Sequence, residues 1–133
     1  MREILFRGKD SDGVWHYSMT IARAATTDGE ISHIYFGSCP TCSVPAETVG
    51  QYTNIVDKNG TKIFEGDIVL DEYDFNIVGL VVYNPSRSQF EILDVEHSNY
   101  TFNIGALKDT LKVIGNIHDN PELLKAGECN ENN

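Results

Sequence analysis

Cysteine is scarce: Cys39, Cys42 and Cys129 are the whole supply in 133 residues. So small and odd a number cannot staple a secreted domain, so reduced thiols are expected and no oxidising compartment is needed. Positive charge is short as well. Ten Lys and Arg stand against twenty Asp and Glu, for a formal charge of -10 and a pI near 4.6. That is the wrong sign for gripping a phosphate backbone over a broad face, so generic nucleic-acid binding is disfavoured. Long apolar runs are missing: none reaches the roughly 18 residues a membrane helix needs. The opening Met1-Arg2-Glu3-Ile4-Leu5-Phe6-Arg7 also lacks the apolar stretch of a secretory leader. A cytoplasmic protein with no membrane partner is expected.

The chain does carry apolar residues in quantity, 41% of 14.8 kDa, enough to bury roughly two-thirds of the unfolded surface. Their spacing is that of short strands. Glu3 to Lys9 and Val14 to Ile21 flank the turn residues Asp10-Ser11-Asp12-Gly13 and predict a hairpin, with Trp15, Tyr17 and Met19 on one side. Thr26-Thr27-Asp28-Gly29 punctuates the chain before a third strand, Ile31 to Gly37, expected to be buried on both faces. Pro45 is placed to open one short helical turn. Asn59-Gly60 predicts a tight hairpin in which both residues take positive φ.

Beyond that turn, Lys62–Phe64, Asp67–Tyr73, Ile77–Tyr83, Gln89–Val95, Tyr100–Asn103 and Leu111–Ile117 form a train of short segments. Regular short strands predict a barrel or sandwich, and the glycines in Gly66-Asp67-Ile68-Val69-Leu70 and Val78-Gly79-Leu80-Val81 suit the bent strands of a small SH3-like barrel. Asn120 and Pro121 predict the start of a terminal helix. The expected fold class is mainly β within a single domain, residues 1–133. Its subregions are an N-terminal β-hairpin region over 1–56, a small barrel over 57–125 and a flexible tail over 126–133.

In this order, Glu47-Thr48-Val49-Gly50-Gln51-Tyr52-Thr53, Asp57-Lys58-Asn59-Gly60 and Ile63-Phe64-Glu65-Gly66-Asp67-Ile68-Val69 resemble the YopX family of phage and prophage proteins. The opening Arg2-Glu3-Ile4-Leu5-Phe6-Arg7-Gly8-Lys9 and the closing Val113-Ile114-Gly115-Asn116-Ile117-His118-Asp119-Asn120-Pro121-Glu122-Leu123-Leu124 look like that family's two ends. The resemblance implies a mainly β, phage- or bacterium-encoded cytoplasmic protein that self-associates. It spans nearly the whole chain but carries no catalytic residue across, and it is weakest over residues 23–45, so the cysteine pair there has no support from it.

Two clusters are candidate sites. Cys39-Pro40-Thr41-Cys42 has the spacing of half a zinc knuckle, but a closed site needs four ligands and no second pair exists. A redox dithiol expects a βαβ setting that strands joined by turns do not provide, so chance spacing in a loop is the better reading. Glu65, Asp67, Asp71, Glu72 and Asp74 match no Ca²⁺ loop. They read as the wet edge of a strand pair, or as a partner-binding patch for a basic face of a host or phage protein. Neither metal nor cofactor is expected. The four histidines His16, His33, His97 and His118 join no nucleophile elbow.

The functional expectation is therefore a non-enzymatic phage or prophage accessory protein that binds a macromolecule or a second copy of itself. One alternative is a nucleic-acid-binding small barrel that gathers Arg2, Arg7, Lys9, Arg23, Lys58 and Lys62 on one surface. Another is a metal- or thiol-dependent enzyme centred on Cys39 and Cys42.

Overall fold

Alternating apolar and polar residues commit this chain to short strands, and the computed structural model is built from them. It describes residues 2–25, 31–37, 42–71, 77–95, 101–106 and 109–124. The chain divides into two compact units, Met1–Tyr52 and Thr53–Asn133.

In the first unit, β1 (Phe6–Lys9) and β2 (Trp15–Ser18) form the predicted antiparallel hairpin, with Gly8 opposite His16 and Lys9 opposite Trp15. A second sheet holds β3 (Ile21–Ala25), β4 (Ile31–Phe36) and β5 (Ser43–Pro45), all antiparallel. Pro45, at φ -57 and ψ 133, leads into the single 3-10 turn η1 (Ala46–Thr48), where the sequence places it. The strand β6 (Gly50–Val56) begins beside β1, with Gly50 opposite Arg7.

The core of this unit is Ile34, Phe36 and Val44, packed by Phe6, Ile21, Ala46 and Val49. Along β4, Ile34 and Phe36 are buried while His33 and Tyr35 are exposed. The strand is therefore covered on one face, not two, as its period-two alternation requires. Gly8 marks the face of β1 that meets this core: a methyl there would lie 2.6 Å from Val44 Cγ2.

In the second unit, β7 (Lys62–Phe64) pairs with β6. The strands β8 (Asp67–Asp71), β9 (Ile77–Asn84), β10 (Gln89–Asp94), β11 (Thr101–Asn103) and β12 (Leu111–Asn116) form one sheet in the order β11-β10-β9-β8-β12. Every neighbour pair in it is antiparallel. The mainly β class expected from the sequence is what the structure shows, and the region read as a small barrel takes this five-stranded form. Ile63, Val69, Val81, Ile92, Ile104 and Leu111 make its core, with Ile55, Phe90, Phe102 and Val113 against it.

One 3-10 turn, η2 (Ile104–Ala106), follows β11. The terminal helix is a single turn over 122–124 among the described residues. Asn120 does not cap it; its Oδ1 accepts the Asn116 N–H at 3.3 Å and folds back on β12. The predicted turn at 26–29 and the tail at 126–133 lie outside the described residues.

Candidate functional site

Two turns of one design stand in the two units. In each, an Asp at the first position accepts the N–H groups two and four residues on through Oδ1. Asp10 takes Asp12 and Val14, both at 2.9 Å, and Asp57 takes Asn59 at 2.8 Å and Thr61 at 2.9 Å. In each, a glycine three residues after the Asp sits at φ +84. In each, its N–H reaches the Asp carbonyl at 3.0 Å. This is a type I turn closed by a left-handed glycine. Asn59 is not in the left-handed region, so the expectation of two positive φ values is corrected to one, at Gly60.

The turns differ in their second carboxylate oxygen. Asp10 Oδ2 meets His16 Nε2 at 2.7 Å within its own hairpin. Asp57 Oδ2 accepts the Val113 N–H at 3.0 Å, 56 residues along the chain. The His16 bond, ahead of the backbone donors, holds the Asp10 carboxyl below its ordinary range. For Asp57, burial pushes the carboxyl upward, but the Val113, Thr61 and Asn59 N–H groups outweigh it and the net direction is down.

The richest convergence of polar side chains lies on β9, β10 and β11. Glu91, only 1% exposed, accepts Asn84 Nδ2 at 2.9 Å, Gln89 Nε2, and Arg87 Nη1 at 3.0 Å. Arg87 also reaches Thr101 Oγ1 at 3.3 Å, and Asn103 Nδ2 donates to Gln89 Oε1 at 2.9 Å. These donors, Asn84 first, lower the Glu91 carboxyl from 4.5 to about 2. So acidic a group is a poor general base near neutrality, and its chemistry is that of a fixed anion pinning three strands.

The folded carboxyl is the stronger acid, so its stabilisation is complete above the unfolded value and disappears as pH falls from 4.5 towards 2. Denaturation midpoints across that window should fall steeply for the wild type. They should start lower and fall less for Glu91→Gln.

The structure places the sequence-predicted residues as follows. Cys42 is half-buried, directly before β5, and its carbonyl accepts the Phe36 N–H at 2.9 Å. Cys39, Glu72, Asp74, His97 and Cys129 lie outside the described residues. Among the described residues no three His, Cys, Asp or Glu side chains converge to hold a metal ion.

The wet-edge reading of the acidic stretch is corrected. β8 sits between β9 and β12, and Asp67 and Asp71 on it are 2% and 0% exposed. Asp67 Oδ2 accepts the Phe64 N–H at 2.7 Å and closes the turn into β8. Carboxylates so buried do not present themselves to a partner; of the described acids in that stretch only Glu65 is half-exposed. An acid that alternates with apolar residues is compatible with a wet edge and with an internal turn lock, and only pairing decides. No buried side-chain nitrogen or oxygen among the described residues lacks a hydrogen-bond partner.

Reasoning from sequence misses the Glu91 cluster, because its members are spread over three strands. It also misses the twin turns as a pair, although the shared Asp-x-Asp/Asn-Gly pattern is the available signal.

The surface differs in character. On the face of the β1–β2 hairpin opposite Gly8, Arg7 packs 4.8 Å from the Trp15 ring and is 8% exposed. Val14, Tyr17 and Met19 remain 52%, 57% and 71% exposed. In the second unit a cleft of about 460 Å³ is lined by Asn54 to Lys58 and Asp109. Asn54 there adopts φ 69, and Asp57, one of its two carboxylates, is already occupied by its turn.

Residues 5–125 match the family model for YopX protein. The chain belongs to the YopX family. The match takes in both units and the motifs that carried the resemblance, the opening one from Leu5 onward. A solved structure of similar fold is the crystal structure of protein EF1440 from Enterococcus faecalis, with a TM-score of 0.57 and 23% identity. It covers 93% of this chain and 99% of that one, a likeness of fold alone. No curated protein matches the chain. No helix among the described residues is long and apolar enough to cross a membrane.

Proposed function

We propose that this YopX-family protein is a cytoplasmic phage or prophage accessory protein that works without catalysis, by binding a second copy of itself through the β1–β2 hairpin. The observation that carries this reading is the exposure of Tyr17 on β2 and of Val14 and Met19 at its two ends, β2 standing at the end of its sheet's strand order. A terminal strand offers a row of backbone donors and acceptors, and two copies pairing antiparallel along it satisfy both rows about a two-fold axis. The apolar side chains then lose water on both copies.

Charge supports the same surface. Residues 1–52 hold four Lys and Arg against six Asp and Glu, while residues 53–133 hold six against fourteen. The net charges are thus -2 and -8, so self-repulsion concentrates in the second unit and association through the first meets little of it.

Sedimentation over a range of concentrations should show a reversible dimer or a higher assembly. Tyr17→Asp and Met19→Asp should each weaken it by about tenfold or more, because a charge replaces an apolar side chain at a desolvated contact. A strict monomer at every concentration overturns the proposal. Association that is strengthened by salt and unaffected by either substitution points instead to the acidic second unit, whose self-repulsion salt screens.

A further inference from the structure

Eleven asparagines occur in the chain. How easily each side-chain amide is attacked by the next backbone nitrogen depends on what that next residue carries: a branched side chain shields the nitrogen and proline has no N–H. Four of the asparagines precede isoleucine and two precede proline, while Asn59 alone precedes glycine. Asn59 and Gly60 are both exposed, and a methyl on Gly60 would meet nothing within 4 Å.

We propose that Asn59 is a site of spontaneous deamidation, gated by the Asp57 turn. The Gly60 nitrogen gives its proton to hydroxide and attacks Asn59 Cγ. The N–Cγ bond forms, the Cγ–Nδ2 bond breaks, and Nδ2 departs as ammonia. One water then opens the succinimide ring. Cleavage at Cγ gives aspartate, and cleavage at the main-chain carbonyl gives isoaspartate.

The gate is the turn itself. The Gly60 N–H is engaged by Asp57 O at 3.0 Å, and Asp57 Oδ1 fixes the flanking N–H groups of Asn59 and Thr61. Reaction therefore proceeds from the fraction of molecules in which the turn has opened.

The two products have different consequences. The sister turn carries Asp12 at the position of Asn59 and keeps the same bonds, so the aspartyl product is accommodated. The isoaspartyl product inserts a methylene into the main chain between the donors that Asp57 holds. It breaks the turn and releases Asp57 Oδ2 from the Val113 N–H and Lys58 N–H from Leu111 O.

The test is incubation of the full chain at mildly alkaline pH, with peptide mapping by mass spectrometry for exchange of NH₂ for OH and for isoaspartate. Asn59 should react before every other asparagine, and about tenfold faster or more in concentrated urea, where the gate is open. Asp57→Asn, which weakens the gate, should move the native rate towards the urea rate. Val113 amide exchange should rise in the isoaspartyl fraction and stay unchanged in Asn59→Asp.

Another asparagine reacting as fast in the folded chain overturns the site. Equal rates at Asn59 with and without urea overturn the gate. If Asp57→Asn fails to fold, the urea comparison on the wild type decides.

Discussion

Gly79→Ala lowers the stability of the second unit by about 1–3 kcal/mol, the usual cost of forcing a methyl into a filled core, and shortening Ile92 relieves part of that loss. A methyl on Gly79 overlaps Ile92 Cγ2 and comes within 3.1 Å of Leu93 O. Ile92 is 0% exposed and belongs to the cluster around Ile63, Val81 and Leu111, so Ile92→Ala alone costs about 2–5 kcal/mol through lost burial and the cavity left behind. In the double variant the new methyl occupies space the isoleucine has vacated, and the costs sum to less than the two singles. The backbone contact at Leu93 keeps the relief partial. Urea denaturation at constant m-value measures it; strict additivity would show that Gly79 is not set against Ile92.

Asp57→Ala has an effect of similar size for a different reason. It removes a turn cap, worth about 0.5–2 kcal/mol, and strips the Val113 N–H of its acceptor, which costs about 1–3 kcal/mol for a group away from water. A loss of about 3 kcal/mol is expected. Asp10→Ala, made in the matching turn, should cost less, because its backbone donors lie at the surface and water replaces the carboxylate. Amide exchange should quicken at Val113 only in the first variant. Losses of the same size would mean that the long-range bond contributes nothing. The Asp57 carboxyl is held below its ordinary value, so this stabilisation is present above that value and is lost as pH falls through the lowered one.

Much of this fold is legible in the order of residues alone. Lys62–Phe64 is a strand with the predicted bounds, because Asn59-Gly60 and Glu65-Gly66 bracket it with turn chemistry. The segments at 77, 89 and 111 also begin where predicted. What escapes is what pairing decides. The alternation from Val14 runs on into Ile21 as one strand, yet the chain changes sheets after Ser18 so that Ile21–Ala25 joins β4. Asp67 and Asp71 look wet by composition, which cannot reveal that β8 has a neighbour on each edge. Tyr17 and Met19 share a period-two side with Trp15, but only coordinates distinguish the indole beside Arg7 from the two side chains exposed to water. The Glu91 cluster is hidden for a related reason: Asn84, Gln89 and Asn103 come together around it through register between strands.

The two matching turns also set a timetable for synthesis. The first is complete within six residues of its aspartate, from Asp10 to His16, so it closes while most of the polypeptide is still unmade. The second has its aspartate in place equally early in its own unit, yet one oxygen waits for a residue 56 positions later. That same late segment, β12, also supplies the final neighbour of β8. A chain that has emerged as far as β11 but not yet β12 would therefore hold a finished N-terminal hairpin joined to a sheet with a bare edge, the state most open to capture by chaperones.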